Sequence, residues 1–269
     1  MATPNTPTTT DAGDFLKKSE KSLKNYAVRK YDFTSFLKSA MIAINDNTTL
    51  SECLRTEAGK KSLFNAMRYA ATTGLSLNPQ EGKAALIGYK NKAGEMVLNY
   101  QIMKNGLIDL ALSSGKVEFV TADLVRANDE FSIKKSASGD DYSFSPAIRD
   151  RGEVIGFVAA LKLKGSATYV KWMSTEEVAE FRDKYSSMYK NRPDASPWTH
   201  SFNGMGIKTV MKALLRSVSI SPDVDAAVKS DDYIEAEFTV HGTTADDAVT
   251  QLQTPSKPVK AEEGQGELL

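Results

Sequence analysis

Few side chains in this sequence are of the kinds that carry catalysis. His200 and His241 are its only histidines and Cys53 its only cysteine. A two-histidine metal site, a Ser-His-Asp relay or a thiolate cluster therefore has little to draw on. Adjacent carboxylates occur at Glu176-Glu177 and Asp231-Asp232, but acids at a helix start or in an acid-rich end read as solvated surface. The segment Gly204-Met-Gly206-Ile-Lys208-Thr209 ends like a phosphate-binding loop. The Walker pattern requires Gly directly before Lys, and here Ile207 intervenes. The segment also reads as helix interior, where backbone amides are already bonded and cannot cradle phosphates. No nucleotide hydrolysis, no metal and no cofactor is expected.

Cations are better placed for chemistry, namely the holding of a polyanion. Glu153 to Lys164 and Ala167 to Met173 read as two strands around a Gly165-Ser166 turn. A two-residue turn pairs Lys162 with Tyr169 and Ala160 with Lys171, which puts Lys162, Lys164, Tyr169 and Lys171 on one face. Phe157, Ala159, Leu161, Leu163, Val170 and Trp172 then form the core face. Lysines beside an aromatic ring suit phosphates and a stacked base, although a one-residue slip inverts the assignment. The segment from His200 to Ser217 reads as a helix on which Lys208, Lys212 and Arg216 fall within about 80° of one another. They form one basic stripe bordered by Met205, Met211 and Leu215, as if lining a groove.

The elements that position these residues follow from hydrophobic period and turn chemistry. Phe15 to Tyr26, Phe33 to Ile44 and Lys60 to Thr73 read as helices, the last stopped by Gly74. Lys83 to Lys90 and Glu95 to Gln101 flank a turn and read as a hairpin. A short helix, Lys104 to Ser113, precedes extended segments Val117 to Arg126, Glu130 to Lys134 and Tyr142 to Phe144. Ser174 to Glu177 is a capping box opening a helix to about Tyr189. The order predicts an α+β fold, a small mainly antiparallel sheet packed with helices. Residues 1–13 and 240–269 are expected to be disordered, leaving 14–239 as the folded body with a helical lobe at about 14–75.

Of 269 residues, 41% are hydrophobic and the formal net charge is zero. The zero hides an asymmetry. Asp14 to Pro222 holds 31 Lys/Arg against 22 Asp/Glu, whereas Asp223 to Leu269 holds 3 against 11. A basic body with an acidic end is compatible with nucleic-acid binding. No apolar run approaches the roughly 18 residues that span a bilayer, and the first residues lack a secretion signal, so a cytoplasmic protein is expected.

Several blocks in order carry a resemblance to a known family. They are Gly74-Leu75-Ser-Leu77-Asn-Pro79, Gly82-Lys83 to Tyr89, Gln101-Ile with Gly106 to Ala111, Ser114 to Val117, Asp129-Glu-Phe131, and Arg151-Gly152 with Gly156. Met173 to Val178, Pro197-Trp198 and Met205 to Val210 follow. Over about residues 30 to 222 the chain resembles the RecT family of phage and prophage single-strand annealing proteins. It departs at Met103-Lys104-Asn105, where relatives commonly have Gly-Tyr-Lys.

The resemblance implies ATP-independent binding of single-stranded DNA, annealing of complementary strands into duplex during recombination, and homo-oligomers in the form of rings or helical filaments. It also implies a cognate 5′ to 3′ exonuclease and a host single-strand-binding protein as partners, and a fold distantly like the Red-beta and eukaryotic annealing rings. Annealing needs a cationic groove that neutralises phosphates while leaving base edges free. The residues expected to serve it are Lys83, Lys90, Lys116, Lys162, Lys164, Lys171, Lys208, Lys212 and Arg216, with Tyr89, Tyr169 and Trp198 stacking or packing. A metal-dependent DNA-processing enzyme and a non-enzymatic protein-interaction module remain the alternatives.

Overall fold

Apolar residues at helical spacing build most of the structure, a computed structural model that describes residues 9–27, 32–45, 47–91, 93–191 and 193–237. The chain divides into Met1–Thr239 and Val240–Leu269. The expectation of disorder for 240–269 lies outside the described residues. Helix α1 (Thr9–Lys24) buries Ala12, Leu16 and Leu23. It begins inside the stretch expected to be disordered, because Ala12 already belongs to the apolar stripe that meets α2 (Phe33–Asn45) and α4 (Glu57–Thr73). The short helix α3 (Thr48–Ser51) lies between them. Thr56 caps the start of α4 and Gly74, in the left-handed region at φ 67°, ends it.

Strands β1 (Ala84–Lys90) and β2 (Met96–Ile102) form an antiparallel pair against α4, and α5 (Lys104–Ser113) follows. The larger sheet is β3 (Val117–Arg126), β6 (Val154–Leu163) and β7 (Thr168–Ser174), with β6 in the middle. A second hairpin, β4 (Glu130–Lys134) and β5 (Asp141–Ser145), is inserted between β3 and β6. Ser174 and Glu177 form the expected capping box at α6 (Thr175–Tyr185). Helices α7 (Ser187–Asn191), α8 (Pro197–His200), α9 (Phe202–Ser217) and α10 (Pro222–Glu237) complete an α+β fold. Among the described residues no helix is long and apolar enough to cross a membrane.

The β6–β7 register differs from the sequence expectation by one residue. Lys162 pairs with Thr168, Leu161 with Tyr169 and Ala159 with Lys171. The connection is Lys164-Gly165-Ser166, with Gly165 at φ 64° and the Ser166 amide donating to the Leu163 carbonyl at 3.1 Å. A three-residue loop that uses a left-handed glycine shifts the pairing, and side-chain alternation then inverts the faces of one strand relative to the other. Lys162 shares its face with Thr168, Val170 and Trp172, while Tyr169 and Lys171 lie on the opposite face with Phe157, Ala159 and Leu161.

Both faces of this sheet are covered. Phe157, Ala159 and Leu161 belong to the main core with α5 and α9. Val125, Val158, Ala160 and Val170 form a smaller core with Phe131, Ile133, Tyr142, Phe144 and Trp172. The rings of Phe131 and Trp172 lie 4.7 Å apart between centroids, an aromatic contact that fixes β4–β5 on the sheet. Strand β6 is therefore buried continuously from Gly156 to Leu161, as a central strand covered on both sides must be.

Candidate nucleic-acid interface

Sheet pairing gathers lysines from distant parts of the sequence at one end of the β3–β6–β7 sheet. Lys116 stands just before β3 and Lys164 just after β6, and the Lys164 amide donates to the Lys116 carbonyl at 2.9 Å. Both side chains are exposed and neither forms an ion pair among the described residues. Lys162, one turn of the pleat away, has its Nζ 3.0 Å from Glu118 Oε1. Two further lysines that the sequence did not single out join them. Lys134 ends β4, and Lys135 follows it, its Nζ bonded to the Val170 carbonyl and paired with Asp140. Their signal was there to read: two adjacent lysines closing a strand that leads into a Ser-rich turn.

This end is held in place by the loop from Lys135 to Asp140. The Asp140 amide donates to the Thr168 carbonyl at 2.9 Å and its carboxylate accepts from the Val170 amide at 2.7 Å. Gly139, at φ 127°, sits where a Cβ would lie 2.8 Å from the Ala167 side chain. The loop thus packs directly on the β6–β7 turn, and its lysines are brought to the same end as Lys116, Lys162 and Lys164.

At the opposite end of the β4–β5 hairpin lies an ion pair. Arg151 donates from Nε and Nη2 to both oxygens of Asp129 at 2.9 and 2.7 Å. Asp129 is fully shielded from solvent and also accepts from the amides of Arg126 and Ala147. These donors, Arg151 first, hold its carboxyl well below the usual carboxylate range. Arg126 Nη1 adds a bond to the Gly152 carbonyl at 2.8 Å. The Asp129 and Arg151 of the sequence motifs are therefore the anchor of the inserted hairpin.

The remaining expected contacts do not converge on one groove. Lys83, at the base of β1, is 33% exposed and pairs with Asp109 at 3.1 Å and Glu81 at 3.5 Å; the Asp109 hydrogen bond is the main cause of its raised pKa. Tyr89 and Lys90 lie at the other end of the same strand, about 20 Å away by strand rise, and both are engaged within the protein. Lys171 is exposed on the edge strand β7, while Tyr169 packs on the main core. Lys162, Lys164, Tyr169 and Lys171 thus do not share the face that a two-residue turn implied.

The basic stripe on α9 is also differently placed. Lys208 and Lys212 are each 4% exposed, inside the structure rather than lining an open groove. The larger sheet, α5 and α10 all pack on α9, so its middle is buried around nearly its whole circumference. Arg216, a turn later, is exposed. All three are engaged within the protein. Trp198 is 5% exposed and belongs to the core. Among the described residues no group of three or more His, Cys, Asp or Glu side chains is disposed to hold a metal ion.

Comparison with known proteins bears on these residues. The family model described as the RecT family matches residues 34–244. Protein RecT of Escherichia coli (strain K12) is 25% identical over 174 residues, which cover 64% of this chain and 62% of that protein. The chain thus matches somewhat under two thirds of the length of this curated relative.

Proposed function

We propose, from the premise that this chain belongs to the RecT family, that it binds single-stranded DNA without a nucleotide cofactor and anneals complementary strands in recombination as a homo-oligomer. The observation that carries the reading is the family match itself, which runs from α2 past the end of α10. The lysine-lined sheet end supports it: Lys116 and Lys164 are exposed and free of ion pairs among the described residues, with Lys134, Lys135 and Lys162 beside them. Such a cluster neutralises a phosphate backbone and leaves sequence recognition to the bases.

In this reading Lys116, Lys164 and Lys171 are phosphate contacts available in the conformation seen, and Lys162 and Lys83 contribute after exchanging a carboxylate partner for phosphate. Lys90 and Arg216 extend the basic surface at other places, with Tyr89 beside Lys90 and Tyr169 supporting β7. Lys208 and Lys212 take part once the packing around α9 opens. Oligomerisation aligns several modest sites along one strand, which multiplies affinity and favours DNA long enough to span more than one subunit. A cognate exonuclease and a host single-strand-binding protein are the partners the function calls for, and the host cytoplasm is where it would work.

The test is fluorescence anisotropy with labelled single strands of increasing length, without nucleotide and with a chelator present. Binding that tightens with length and weakens steeply with salt is expected. Binding that requires ATP, or strand cleavage once magnesium is supplied, would replace annealing with an enzymatic function.

A further inference from the structure

A tyrosine outside every cluster described so far has the surroundings of a base-stacking platform. Tyr185, the last residue of α6, is 57% exposed, more than Phe119 at 50% or Tyr26 at 42%. An aromatic ring left this open contributes little to the core, and one ring that faces water needs no special account. Its neighbours make the difference. Phe181, one turn earlier on the same helix, packs on Tyr185 with ring centroids 4.8 Å apart, and Lys184 places its Nζ 5.2 Å from the Tyr185 centroid. Lys190, exposed on α7, folds back so that its Nζ donates to the Lys184 carbonyl at 2.9 Å. One ammonium group thus sits over a ring that is supported by a second ring, and a second ammonium, that of Lys190, is held at the carbonyl of the preceding residue.

The platform is also fixed to the body. The Arg182 guanidinium lies 4.1 Å from the Tyr189 ring centroid and 5.7 Å from that of Phe202, and its Nε donates to Asp183. Arg182 thereby ties the end of α6 to α7 and α9, and its charge is taken up by Asp183. Phe202 in turn packs on Trp198 and Phe157. Among the described residues Lys184 and Lys190 are exposed cations close to Tyr185.

We infer that Tyr185 stacks a base of bound single-stranded DNA, with Lys184 and Lys190 holding adjacent phosphates. The inference rests on the single-strand-binding function proposed above and adds to it a site for bases rather than for backbone. Stacking on an aromatic ring is tolerant of sequence because every base has a π-face, which is what a protein that must hold any strand requires. A ring that grips bases also has to let them go when a complementary strand arrives. A single open tyrosine, rather than a closed pocket, meets that condition.

The experiment uses the full chain and a single-stranded oligonucleotide carrying 5-iododeoxyuridine, irradiated and mapped by mass spectrometry, beside binding titrations of Tyr185→Ala, Tyr185→Phe and Lys184→Ala. A cross-link at Tyr185 is expected in the unaltered protein. Tyr185→Ala is expected to weaken binding roughly 5- to 150-fold, the range for loss of one stacked base, with the slope against salt unchanged. Tyr185→Phe keeps the affinity, and Lys184→Ala lowers the salt slope by about 0.7 units. Light scattering on Tyr185→Ala separates stacking from assembly, since a smaller particle would make Tyr185 a subunit contact and overturn the inference. Unchanged affinity in Tyr185→Ala, or cross-links only elsewhere, would also overturn it while leaving single-strand binding itself intact. Failure of the unaltered protein to bind single strands would remove both.

Discussion

Asp129 receives four hydrogen bonds, two from Arg151 and one each from the amides of Arg126 and Ala147, while its side chain is closed to solvent. Its folded pKa is depressed, so the stability it contributes is present above its unfolded value of about 3.8 and is lost as pH falls through that value toward the folded one. Asp129→Asn removes the charge and leaves Arg151 facing a neutral amide. The variant is expected to be less stable to urea at pH 7, and the gap to the unaltered chain is expected to narrow as pH is lowered below 4. Paired urea titrations at several pH values check this; a gap independent of pH would show that the carboxylate charge does not hold the hairpin. The lysines at the other end of the sheet differ among themselves. Lys162 already pairs with Glu118, whereas Lys116 and Lys164 have no such partner among the described residues. Replacing Lys116 and Lys164 together with Ala is expected to lower the slope of log affinity against log salt by about 1.4 units, about 0.7 for each contact to a single strand, and Lys162→Ala by less, because a phosphate must first displace Glu118. Salt titrations of single-strand binding measure both, and unchanged slopes would put the backbone contacts elsewhere.

Helix α9 and strand β6 meet closely enough that one methyl group decides their fit. A Cβ on Gly206 would fall 2.5 Å from the Phe157 ring, which is itself fully buried. Gly206→Ala is expected to lower stability by about 1–3 kcal/mol, the usual cost of overpacking a core, read as a lower urea midpoint with little change in slope. At this scale the sequence was readable where one face was buried and the other wet. The helices α2, α4 and α5, the β1–β2 pair and the capping box at α6 all follow from period and punctuation. It misled at β6 and β7, where alternation assumes a solvated face. Ile133, Tyr142 and Phe144 arrive from an inserted hairpin to cover that face, and a three-residue loop at Gly165 is not distinguishable by composition from a two-residue one. Helix α10 went unread because acids dominate it, although Pro222 at its first position, Asp223 and Asp225 in its first turn and Val224, Ala227 and Val228 at helical spacing are its signals.

Across the whole molecule, the charge division seen in the sequence pointed to a polyanion ligand, and the ordered blocks pointed to the family. The distribution of the cations was not legible, since it depends on which strands are neighbours. Pairing of β3 with β6 joins Lys116 to Lys164 across nearly fifty residues of sequence, and Lys208 and Lys212 on α9 are buried rather than at the surface. A protein that works by lowering repulsion between two strands needs no stored chemical energy, because duplex formation itself is downhill once phosphates are screened. The annealing rate of two complementary oligonucleotides, followed by quenching of paired fluorophores with neither nucleotide nor divalent metal present, is the most direct measurement of that claim. The protein is expected to raise the rate well above the spontaneous one, with an optimum near the amount that saturates both strands. No acceleration under these conditions, or acceleration only on addition of ATP, would contradict it.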